Sequence, residues 1–93
     1  MSRGVSFRQA LDGMRSQAHR GVSRAITDAR RMAPPPSRNS PGGAAHALFD
    51  GILEALSETI VDVATPGYEP ELAALVAQAL VARVYQKRAE RLQ

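Results

Sequence analysis

Apolar residues recur through the first third of the chain at Phe7, Leu11, Met14, Ala18, Val22, Ala25, Ala29 and Met32. The steps between them are 4, 3, 4, 4, 3, 4 and 3, which places them on one narrow stripe of a 3.6-residue helix. Phe7, Ala18 and Ala29 repeat every eleven residues, the period of a nearly straight stripe. The spacing predicts a helix from about residue 6 to residue 33. Gly13 and Gly21 lie inside it, each costing about 1 kcal/mol relative to Ala. Several stripe positions hold only Ala or Met. Such a helix is not stable alone and needs a surface to lie against.

Pro34 stops this first pattern, because its ring cannot continue the ladder and it pushes residue 33 toward an extended conformation. The stretch RRMAPPPSRNSPGG, residues 30–43, then carries four prolines and two glycines. Three consecutive prolines favour a stiff polyproline II start, and the glycines a flexible end. No PxxP spacing is present: Ser37, Arg38 and Asn39 follow Pro34, Pro35 and Pro36 at that distance. The stretch therefore reads as a spacer and not as an SH3-type ligand.

A second helical pattern spans about 44–64. Leu48, Phe49, Ile52, Leu53, Leu56, Ile60 and Val63 share a broad face. His46, Asp50, Glu54, Glu58 and Asp62 form an i, i+4 row opposite it, with acidic residues expected early enough to favour the helix dipole. TPGYEP, residues 65–70, is a turn, and Pro70 suits the first position of a new helix. The last helix, about 70–92, is apolar nearly all round: only Gln78 and Arg83 interrupt the run from Leu72 to Tyr85. A helix apolar on every side is covered on more than one side.

These patterns predict an all-α chain. A basic N-terminal arm helix (1–33) leads through a Pro/Gly-rich linker (34–43) to a C-terminal antiparallel helical hairpin (44–93). Two helices cannot bury all of the hairpin's large apolar side chains against each other. The ordering entropy of the chain exceeds what their partial burial returns. The fold is therefore expected to be completed by oligomerisation or by a partner. The residues expected to dock are Leu72, Leu75, Val76, Leu80, Val84 and Tyr85 of the hairpin, with Phe7, Leu11 and Met14 of the arm.

Composition removes several alternatives. The 93 residues contain no Cys, so there is neither a disulfide framework nor a thiolate metal site. Aromatic residues are 4% and Trp is absent, a poor supply of base-stacking platforms. No run approaches the roughly 20 apolar residues that span a bilayer. The N-terminal residues lack the unbroken apolar core of a signal peptide, so the expected location is cytoplasmic, with no membrane partner.

Catalysis requires a poised acid, base, nucleophile or metal. His19 sits in the basic helix and His46 heads the acidic row, and neither belongs to an HExxH or ExxH pair. GxSxG, P-loop and GxGxxG motifs are absent. The expectation is a non-enzymatic chain with no cofactor and no metal. Gly42-Gly43 before a helix reads as a hinge and not as an anion cradle.

Charge leaves a second reading open. Residues 1–43 hold eight Arg and two Asp, and residues 44–93 hold seven acidic and four basic residues. Segregation of this kind suits either nucleic-acid binding or attraction between parts of an assembly. Nucleic-acid contact would fall to Arg15, Arg20, Arg24, Arg30 and Arg31, gripping backbone phosphates without sequence preference. Together with Arg8 they are expected to scatter around the polar surface. A helix-turn-helix is disfavoured, since the turn is too long and the last helix too apolar to enter a groove. In its small size, lack of chemistry and extended arm the chain resembles subunits of phage particles or small phage-encoded inhibitors, in style and without a shared motif. The primary expectation is a helical interaction subunit of a larger protein complex or homo-oligomer, and the alternative is a non-specific nucleic-acid-binding protein.

Overall fold

The computed structural model describes residues 6–39 and 41–93; the first five residues of the expected arm and Ser40 of the linker lie outside the described residues. The described residues are all-α, with three helices among them: α1 (Phe7–Arg31), α2 (Gly43–Val63) and α3 (Glu69–Arg91). By proximity it divides into two compact units, Met1–Phe49 and Asp50–Gln93. The first contains α1, the linker and the start of α2. The second contains the rest of α2, the turn and α3.

In the first unit, α1 begins at a capping box that the apolar pattern did not anticipate. The Ser6 hydroxyl accepts from the Gln9 N–H at 3.1 Å, and the Gln9 side-chain oxygen accepts from the Ser6 N–H at 2.9 Å. Two amide donors that the helix leaves unpaired are thereby satisfied. The helix ends at Arg31, two residues before the expected end, with Met32 as C-cap. Pro34 excludes Ala33 from helical geometry, and the last amides close tighter i→i+3 bonds: Met32 N–H to the Ala29 carbonyl at 3.0 Å and Ala33 N–H to the Arg30 carbonyl at 3.2 Å. Arg30 and Arg31 lie in this last turn, where the dipole favours cations.

α2 starts one residue earlier than the pattern suggested. The Gly42 carbonyl accepts the first helical bond, from the His46 N–H at 2.9 Å. The early acidic residues expected for this helix are not there: its first turn has none, and Asp50 comes two turns in. The acidic row therefore runs through the middle and the C-terminal half, and Asp62 opposes the dipole instead of serving it.

In the second unit the chain reverses over Ala64–Tyr68. Pro66 and Gly67 occupy the centre of a type II turn: Gly67 has φ 92°, and the Tyr68 N–H reaches the Thr65 carbonyl at 2.9 Å. The Glu69 carboxylate accepts from the Gly67 N–H at 2.9 Å, tying the turn to the first turn of α3. Pro70 falls at the second helical position, not the first, and is tolerated there because that amide has no helical partner.

None of the described residues is buried. Partial cover falls on Ser16 and Ile26 of α1 and, in α2, on Gly43 and one i, i+4 ridge formed by Leu48, Ile52, Leu56, Ile60 and, just past its end, Ala64. On α3 it falls on Glu69, Leu72 and Val76 alone; every residue from Ala77 to Gln93 is exposed. The unit holds no further element to cover the other sides of α3.

Candidate functional site

The exposed apolar faces are the chemically distinctive surface of this chain. On α3, Leu75, Leu80, Val84 and Tyr85 are 62%, 58%, 56% and 67% exposed. Leu72 and Val76, expected to dock with them, are half-buried near the turn. The six therefore divide into a short seam beside the turn and an uncovered remainder. Val81 belongs to the uncovered set, although the sequence reading did not single it out.

On α2 the exposed residues include Phe49 and Leu53, each 60% exposed. Sequence reasoning assigned both to the helix's broad apolar face, which a two-helix hairpin was not expected to bury in full. The face is wider than the ridge that receives cover, so its flank is left open. The width was legible in the sequence, and the narrowness of the seam was not.

In the first unit, Phe7 and Met14 of α1 are largely exposed, and Leu11 is the least exposed of the three. An apolar cleft of about 550 Å³ opens at the C-terminal end of α1, lined by Ala29, Met32, Ala33, Pro34 and Leu48, with Arg30 among the lining residues. Proline and alanine walls give it shape but no polar group placed for catalysis.

The arginines of α1 form two groups on opposite flanks of the helix and not one stripe: Arg20, Arg24 and Arg31 fall within about 40° of one another, and Arg8, Arg15 and Arg30 lie on the other flank. Arg15 pairs with Asp12 at 2.7 Å and Arg31 with Asp28 at 3.5 Å. Arg20 donates to the Ser16 hydroxyl at 2.8 Å and to the Gln17 side-chain oxygen at 3.4 Å. Arg24 and Arg30 form no ion pair among the described residues. Exposed i, i+3 pairs of this kind stabilise by only about 0–1 kcal/mol and leave the guanidinium groups available.

Those two pairs are the ion pairs found among the described residues. The row Asp50, Glu54, Glu58 and Asp62 on α2 therefore takes part in none, and neither do Arg83, Lys87, Arg88 and Arg91 on α3. No three His, Asp or Glu side chains among the described residues are grouped to hold a metal ion. No helix among them is long and apolar enough to cross a membrane.

Compared with models of protein families, with curated proteins and with solved structures, the chain matches none.

Proposed function

We propose that this chain is a non-enzymatic, cytoplasmic assembly subunit, one whose helices complete their cover only within a larger protein complex or homo-oligomer. The observation that carries this reading is the complete exposure of α3 from Ala77 onward, Leu80, Val81, Val84 and Tyr85 included. Single exposed apolar residues are ordinary, but contiguous apolar faces on a monomer mark interaction sites. In this reading Leu75, Leu80, Val84 and Tyr85 dock the hairpin, Leu72 and Val76 hold its seam, and Phe7, Leu11 and Met14 let the arm helix engage a neighbour. The test is the mass of the purified full chain together with anything that co-purifies. The reading predicts an oligomer or a defined complex, and a stable, monodisperse, folded monomer would contradict it.

A second reading is supported by Arg20, Arg24 and Arg31 on one flank of α1 and Arg15 and Arg30 on the other. These would neutralise backbone phosphates, giving binding that weakens steeply with salt. Titration of duplex DNA and of RNA across salt concentrations tests it. Arg24→Ala combined with Arg31→Ala should flatten the salt slope by about two ions' worth. Absence of binding at low salt would remove this reading.

A further inference from the structure

α1 is the most amphipathic of the three described helices, and it is polar on average. Its apolar stripe, Phe7 to Met32, is exposed at every position. The helix carries six Arg against two Asp, with no Lys or Glu, a net charge of +4. Its charge borders its apolar surface. At about 100° per residue, with Ala18 marking the middle of the stripe, Arg15 and Arg8 stand about 60° and 80° away on one side. Arg30 and Arg24 stand about 120° away, one on each side. Any plane that receives the stripe therefore meets these four groups along its edges, on stems long enough to bend toward it. The two acidic groups do not stand alone: Asp12 pairs with Arg15 and Asp28 with Arg31.

We propose that the neighbour α1 engages is the anionic surface of a lipid bilayer, with the helix lying in the plane of the headgroups. The inference rests on the arm's part of the assembly reading and not on the hairpin's. A polar, strongly amphipathic helix with arginine beside a stripe of Phe, Leu and Met has the make-up of an interfacial helix. Its apolar side sinks about 5–10 Å into the headgroup boundary, and the guanidinium groups stay at phosphate level. The cytoplasmic leaflet carries the anionic lipid that this requires. No spanning helix is needed, and none is present among the described residues. The surface also supplies what α1 lacks, since a helix with Gly13 and Gly21 inside it is not stable alone. Three other occupants fit less well. A second α1 sets another net charge of +4 against the first. A nucleic-acid backbone takes the arginines and leaves Phe7, Leu11 and Met14 in water. A protein groove is filled by large anchors, whereas Ala18, Ala25 and Ala29 hold much of the later stripe. A fluid surface needs no matched pockets.

Co-sedimentation of the full chain with lipid vesicles tests this. Vesicles of phosphatidylglycerol mixed with phosphatidylcholine should bind about tenfold or more tighter than phosphatidylcholine alone. Phe7→Asp with Met14→Asp should weaken binding to the anionic vesicles about tenfold or more, and Arg8→Gln with Arg15→Gln about tenfold. Both variants should keep the wild-type mass in solution. Depth is read on chains that retain all four of these residues. A nitroxide at Ala18→Cys, in the stripe of this Cys-free chain, should be open to oxygen and shielded from a water-soluble nickel chelate. One at Thr27→Cys, on the opposite side of the helix, should show the reverse. Binding that survives the loss of Phe7 and Met14, or two labels equally open to the chelate, would overturn the inference. So would binding to duplex DNA or RNA with none to anionic vesicles at low salt, which would favour the nucleic-acid reading instead. An assembled chain that ignores vesicles would overturn it and leave hairpin assembly standing. A folded monomer that binds vesicles through α1 would uphold it and remove hairpin assembly.

Discussion

Gly67 shows how a single position fixes the hairpin. Its φ of 92° lies where an L side chain is strained, while a Cβ placed there would meet nothing within 4 Å. The cost of Gly67→Ala is therefore conformational and not steric. It should be about 1–2 kcal/mol, read as a lower urea midpoint at fixed protein concentration with an unchanged slope. Gly13 and Gly21 give the opposite expectation. They lie within α1, away from positive φ, with open space around a Cβ. Ala at both should add up to about 1 kcal/mol each to the helix and raise the helical circular dichroism signal. At the start of α1, Ser6→Ala removes the hydroxyl that accepts from the Gln9 N–H, while the residue-6 amide still donates to the Gln9 side chain. It should cost about 1 kcal/mol of local stability, seen as faster amide exchange in the first turn and not elsewhere.

At the scale of elements, the helices were legible and their cover was not. The stripe from Phe7 to Met32, the break at Pro34 and the Pro66-Gly67 turn located all three helices to within about two residues, because periodicity and proline sterics are local. The acidic row of α2 was legible as a row. Its relation to the dipole was misjudged, although an expected start near residue 44 already put Asp50 well past the first turn. The division of Leu72 and Val76 from Leu75, Leu80 and Val84 depends on which side of α3 meets α2, and a run apolar on every side carries no such signal. Two changes separate the elements' roles. Leu80→Asp with Val84→Asp should abolish self-association in sedimentation, since it sets carboxylates in the face that needs cover. Phe7→Asp with Met14→Asp in α1 should leave hairpin self-association within about twofold of the wild type, because the uncovered apolar residues of α2 and α3 belong to the hairpin.

At the scale of the whole molecule, the central claim is that no single copy holds its own core. Every described residue is at least partly exposed. Stability should then follow mass action, with folding and association inseparable. The most direct measurement is thermal unfolding of the full chain over a hundredfold range of concentration, paired with its mass in solution. The account predicts a species at a multiple of 10.0 kDa whose Tm climbs steadily with protein concentration. A 10.0 kDa species that unfolds cooperatively at a temperature independent of concentration would contradict it.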